Sequence, residues 1–191
     1  NNLIIANFTH GISIEDSSDT DISDVIIIRT QDTGISITSS DGVTISESTI
    51  IGKDTTGTGI LIEQSVSSAN LVNLEVSYCS MGIIVEGDDI SIDSVQVHDN
   101  SNDGISVSAT ASSIISANNV VYNNGGNAIE VTGLTSGSFY GNLIYDNGNT
   151  EFRIISSYNL EIYDNTISDP EFGYGIHLTD GSDNEIHNNI L

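Results

Sequence analysis

Glu130, Arg153 and His177 stand 23 and 24 residues apart in a chain of 191 residues, and each is the third member of a short motif: "AIEV", "EFRI" and "GIHL". A carboxylate, a guanidinium and an imidazole are the groups that fix an acidic sugar and exchange a proton with it. Arg153 would bind a carboxylate or sulfate, and His177 or Glu130 would move the proton. Glu151 stands beside them where the other motifs carry Gly, and Glu171 and Tyr174 shortly precede His177. The same residues also read as an exposed cross-strand ion pair, worth about 0.2–1 kcal/mol, with a solvated histidine next to it.

A repeat is what could bring such distant residues together. The element "GI-x-Φ", with Φ apolar, recurs at Gly11, Gly34, Gly59, Gly82, Gly104, Ala128, Glu151 and Gly175, in steps of 22 to 25 residues. Its second and fourth positions are apolar in every copy, from Ile12/Ile14 to Ile176/Leu178, which predicts a short strand with one buried face. The Gly reads as easing the turn into that strand. A second motif, Φ-x-x-N-x-Φ, follows at Ile115/Asn118/Val120, Phe139/Asn142/Ile144, Ile162/Asn165/Ile167 and Ile186/Asn189/Leu191. Earlier copies such as Ile22/Val25/Ile27 and Ile45/Ser48/Ile50 keep the apolar frame without the Asn. Two more strands joined by a corner fit this pattern, because Asn tolerates left-handed backbone. The expectation is an all-β solenoid, a single-stranded parallel β-helix of about eight coils with three short strands per coil, residues 1–191 forming one domain.

The stretch "GIHLTDGSDNEIHNNIL" at 175–191 resembles the right-handed parallel β-helix repeat shared by pectate-lyase-like proteins and by bacterial and archaeal surface proteins, and the likeness runs along essentially the whole chain. The resemblance implies a right-handed coil. It implies an asparagine ladder at the bend between second and third strands, formed by Asn118, Asn142, Asn165 and Asn189 with Asn2. It also implies a substrate groove over the first strand's face and flanking loops, where Glu130, Arg153, His177 and Glu151 would be catalytic. About function the fold itself says little.

Coils in register place equal positions ~4.8 Å apart, so further sites belong in columns. His98, Tyr122 and Tyr145 form one aromatic column, and Tyr140 and Tyr163 with His187 form another. Such rings can bind the apolar faces of sugars, and they can equally stabilise the coils by stacking. Glu15, Asp16, Asp19 and Asp21 crowd one early turn, and calcium is the cation such a run could hold. No cofactor is required. "DNSNDG" at 99–104 opens like an EF-hand loop but has Thr110 where the bidentate Glu belongs.

Three Lys and Arg against 27 Asp and Glu leave a net charge of −24, which excludes nucleic acid and anionic membranes as partners. No apolar run approaches membrane-span length, and the single Cys79 excludes an internal disulfide. The segments before each first strand are short and build no groove walls. The expected function is therefore a non-catalytic extracellular or cell-surface module: a structural scaffold, adhesin or filament subunit. Its partners would be a polysaccharide or other subunits meeting uncapped β-helix ends. The alternative is a polysaccharide-active lyase, hydrolase or epimerase.

Overall fold

Period-2 burial is the organising fact of the chain. In the computed structural model, which describes residues 3–108, 112–168 and 173–191, strands from Leu3–Ala6 to Glu185–His187 succeed one another without an intervening helix. Asn2, Thr110, Asp169 and Glu171 lie outside the described residues. Each coil gives one strand to each of three eight-stranded parallel sheets. Sheet 1 runs from Leu3–Ala6 to Thr166–Ser168, sheet 2 from His10–Glu15 to Ile176–Thr179, and sheet 3 from Asp21–Ser23 to Glu185–His187. The expected solenoid of about eight coils, three strands each, is the fold observed.

The predicted inward pairs of sheet 2 are buried through the middle coils, with Ile35, Ile60, Ile83, Ile105, Ile129 and Phe152 wholly out of solvent. Phe139 and Phe152 meet edge to face, with centroids 5.1 Å apart. At the last coil the core opens, and Leu178, Ile186, Ile190 and Leu191 are exposed.

The recurrent Gly has a different cause from the one expected. None of Gly11, Gly34, Gly59, Gly82 and Gly104 has positive φ. A Cβ on Gly34 would instead lie 2.5 Å from both the Gly59 carbonyl oxygen and Ile50 Cγ2. The backbone of the next coil and the core leave no room for a side chain there.

Left-handed backbone appears at the corners instead. Between sheets 3 and 1, Asp24, Glu47, Asn73, Ser94, Asn118, Gly141, Asp164 and Asn188 all have φ between 48° and 66°. Six of the eight are Asp, Asn or Gly, the types for which this conformation is least costly. The residue after each turns inward, and there the ladder forms. Backbone N–H and Nδ2 of Asn119 donate to Asn142 Oδ1, those of Asn142 to Asn165 Oδ1, and those of Asn165 to Asn189 Oδ1, at 2.9–3.1 Å.

This corrects one expected member. Asn118 is exposed at the left-handed position, bonded to Asp93 Oδ1 at 3.0 Å, and Asn119 takes its place in the ladder. The apolar frame misled because Ile115 looks like a core residue and Ser116 does not. In fact Ser116 is the inward partner of Phe139, while Ile115 is 43% exposed. The buried Ser116 hydroxyl accepts from Asn119 Nδ2 at 3.0 Å, so its polar atom is satisfied.

Candidate functional site

Sheet 2 turns alternate side chains outward, and Ser106, Glu130, Arg153 and His177 follow one another in register across four coils. Of the three ionisable residues expected to meet, Glu130 and Arg153 touch, and His177 stands in register one coil beyond Arg153. Arg153 Nη1 donates to Glu130 Oε2 at 2.9 Å, with both side chains partly open to solvent. The buried Asn127 donates from Nδ2 to the same oxygen, also at 2.9 Å. His177 lies on the far side of Arg153. Its ring stacks on Tyr174 with centroids 4.5 Å apart, and its Nε2 is 3.4 Å from Thr179 Oγ1. Tyr174 is 59% exposed.

The arrangement can bind an anion and move a proton. A guanidinium has five N–H donors, and engaging one nitrogen with Glu130 leaves the rest of the fork for a carboxylate. The imidazole one coil away could accept or give a proton at a carbon or oxygen beside that carboxylate.

Glu151 does not join this patch. It is completely buried, and its carboxylate accepts from the backbone N–H and Nδ2 of Asn147 at 3.2 and 2.6 Å. Glu151 sits in the column of the crowded glycines, whose side chains would point into the coil, so it is carried inward with them. There it receives a second asparagine ladder, at the corner between sheets 1 and 2. Cys79 N–H donates to Asn100 Oδ1, Asn100 Nδ2 to Asn124 Oδ1, and Asn124 Nδ2 to Asn147 Oδ1, all at 2.9 Å. The sequence signal for it was present in "VHDN", "VYNN" and "IYDN", where the last letter is the inward one. Tyr78, Asp99, Asn123 and Asp146, just before the ladder residues, are left-handed as at the other corner.

The aromatic columns form, and their geometry limits what they can bind. His98, Tyr122 and Tyr145 stack at 4.7 and 5.1 Å with tilts of 10° and 3°, and Tyr140, Tyr163 and His187 at 5.1 and 5.4 Å with tilts of 13° and 10°. Ring faces inside a column cover one another, so a sugar meets edges and hydroxyls there and a bare face only at a column's end. Each ring pair contributes about 0.5–1.5 kcal/mol to coil stacking. His98 is nearly buried, its Nδ1 2.8 Å from Asp99 Oδ2 and its Nε2 3.4 Å from Glu75 Oε1. Partial burial and the neighbouring Tyr145, Asp99 and Glu75 push the Tyr122 phenol above its ordinary pKa.

The early acidic residues separate. Glu15 ends a sheet 2 strand and accepts from Ser13 Oγ at 2.7 Å, Asp16 and Asp19 occupy left-handed corners, and Asp21 begins a sheet 3 strand. Among the described residues no three His, Cys, Asp or Glu side chains gather as a metal site would need.

A family model described as "Right handed beta helix region" matches residues 1–76 and 58–191. No curated protein matches the chain. Among solved structures, a mutant of the periplasmic alginate epimerase AlgG is similar with a TM-score of 0.80 and 15% identity, over 97% of this chain and 48% of that one. The A-module of the Azotobacter vinelandii mannuronan C-5 epimerase AlgE4 is similar with a TM-score of 0.67 and 18% identity, over 91% of this chain and 62% of that one. The enzymatically active domain of a bacteriophage CBA120 tailspike protein gives 0.65 and 12%, over 95% and 38%. The chain thus spans about half the length of the AlgG epimerase, and identities this low establish a shared fold.

These likenesses correct the expectation of a non-catalytic scaffold, adhesin or filament subunit. That preference rested on short loops and an unwalled sheet face. Structures that share this fold across nearly the whole chain are named as an alginate epimerase, a mannuronan C-5 epimerase and an enzymatically active tailspike domain, so such a build does not exclude catalysis.

Proposed function

The chain belongs to the right-handed beta helix family, and from that premise we propose that it is a polysaccharide-active protein that acts on carboxylated sugar polymers at Arg153, His177 and Glu130. The observation that carries this reading is the register of the three: a guanidinium flanked by a carboxylate in one adjacent coil and an imidazole in the other, all facing outward. Arg153 binds the sugar carboxylate and draws charge from it, which acidifies the C–H beside that group. His177 takes the proton. Returning a proton from water to the opposite face gives an epimer, with His177 shedding its own to solvent, and expelling the neighbouring glycosidic oxygen, which takes up the proton held by His177, gives an unsaturated product. Tyr174, exposed and stacked on His177, offers a ring against which a sugar can lie.

The sheet 2 face suits a polymer. Its eight strands stand ~4.8 Å apart. At its other end a concavity of about 470 Å³ is lined by His10, Ser13, Asp32, Ser36 and Leu61 among others. The setting inferred is outside the cytoplasm, in keeping with the periplasmic epimerase that shares the fold.

The test is incubation with a panel of uronate polymers, following the absorbance of unsaturated products and, by NMR, the proportions of the two sugar epimers. Turnover by the wild type, abolished in Arg153→Gln and His177→Ala, is expected. Activity unchanged in both variants would remove the site, and no turnover of any carboxylated polymer would remove the enzymatic reading.

A further inference from the structure

The chain has three Lys and Arg residues, and the fold gives the sheet 2 strands only one of them. Arg29 lies in the sheet 1 strand Val25–Thr30, and Lys53 in the turn between the strands Thr49–Gly52 and Thr58–Ile62, which leaves Arg153. From the Glu130 coil towards the first coil, the outward column reads Ser106, Ile84, Leu61, Ser36 and Ser13, all uncharged. The last three line the concavity at that end, together with the carboxylates of Glu15, Asp32 and Glu63. His10 also lines it and faces Asp32, with Nδ1 3.8 Å from Oδ2. Leu61 stands four strands from Arg153, ~19 Å at ~4.8 Å per strand. At 150 mM salt the Debye length is ~8 Å, so the guanidinium does not offset those carboxylates.

A polymer of uronates laid along this column sets a carboxylate on about every strand. One would meet Arg153, and others would fall among Glu15, Asp32 and Glu63, where like charges repel. An uncharged sugar finds serine hydroxyls there for its own hydroxyls and the Leu61 side chain for its C–H face. We infer that the substrate is a sparsely carboxylated polysaccharide, with a uronate at Arg153 and neutral sugars over the strands that lead to the concavity. This rests on the reading of Arg153 as the carboxylate-binding group, and it narrows that reading from polyuronates to mixed chains. Arg153 selects for one charge, and the three acids select against a run of them.

Calorimetric titration of the whole chain at 150 mM salt with three linear mannose octamers measures the effect. One octamer is neutral, one carries a single terminal uronate, prepared at either end in separate samples, and one is a uronate at every unit. The single-uronate octamer should bind tightest. It should exceed the neutral one about tenfold, the scale of one hydrogen bond to a charged group. It should exceed the full uronate by about tenfold as well, with each of the three carboxylates contributing a few-fold. Combining Glu15→Gln, Asp32→Asn and Glu63→Gln should close most of the gap to the full uronate. Combining Asp21→Asn, Glu161→Gln and Glu185→Gln removes the same charge from exposed positions of sheet 3 and should leave that gap open. Arg153→Gln should lower the single-uronate octamer to the neutral level. If the full uronate binds as tightly as the single-uronate octamer, or if the two triple variants act alike, the inference is overturned and the proposed function stands. A wild type that binds the single-uronate octamer no better than the neutral one overturns both.

Discussion

Asn118 and Asn119 are chemically identical neighbours given opposite roles by the fold, and substituting each in turn tests the account of how this solenoid is held. Removing the Asn119 side chain strips the Val95 N–H of its acceptor at 2.8 Å and the Ile92 carbonyl of a donor at 3.0 Å, in a site with no solvent exposure. Each buried backbone group left unpaired costs about 1–3 kcal/mol, so Asn119→Ala should lose about 2–6 kcal/mol, against total stabilities of roughly 5–15 kcal/mol for single domains. Asn118→Gly gives up one exposed hydrogen bond to Asp93 and relieves a left-handed backbone at φ 56°, as Gly141 does one coil on, so it should stay within about 0.5 kcal/mol of wild type. Asn119→Ser should fall between them, because Ser48 in the same column accepts from the Val25 N–H through its hydroxyl. The chain has seven Tyr and no Trp, so urea unfolding followed by tyrosine fluorescence and far-ultraviolet circular dichroism gives the three stabilities. Equal costs at 118 and 119, or a cost under about 1 kcal/mol for Asn119→Ala, would refute the reasoning that buried side-chain amides close these corners.

Three further outcomes are expected. Glu151→Ala should destabilise by about 1–3 kcal/mol in urea titrations, because it leaves the buried backbone N–H of Asn147 without its acceptor while Nδ2 keeps the Val121 and Tyr145 carbonyls; a stable but inactive variant would instead restore Glu151 to the reacting groups. Burial pushes the Cys79 thiol up to about 11, above its unfolded value, so its contribution to stability is present below about pH 9 and fades as pH rises towards 11; denaturant titrations at stepped pH should show this alkaline loss reduced in Cys79→Ala, and native Cys79 should resist alkylation at pH 8. With a net charge of −24, binding of an anionic polymer should strengthen when salt rises from 10 to 150 mM, as the Debye length shortens from ~30 to ~8 Å; weakening across that range would mean that attraction to Arg153 outweighs the whole surface.

Coil number, strand number and the outward column of Glu130, Arg153 and His177 were legible in the chain because they depend on spacing alone. A 22–25-residue beat and a period of 2 leave one way to stack the strands, and stacking in register brings residues one coil apart together whatever surrounds them. The depth of the polar side chains was not legible. Glu151 reads as a surface acid beside Arg153, yet the crowded column that demands Gly elsewhere carries its side chain inward, where Asn147 binds it. Asn118 and Asn119 could not be told apart by composition, because hydrophobicity favoured Ile115 over Ser116 as the core residue, and the deciding partner, the Asn142 amide one coil away, is not local. The sequence by itself determined a periodic all-β rod and which residues share a column, since periodicity is a property of the chain. The tertiary structure decided which asparagine of a corner is buried in the ladder, that Arg153 pairs with Glu130, and that the tyrosine rings spend their faces on one another, since each of these depends on contacts between coils more than 20 residues apart.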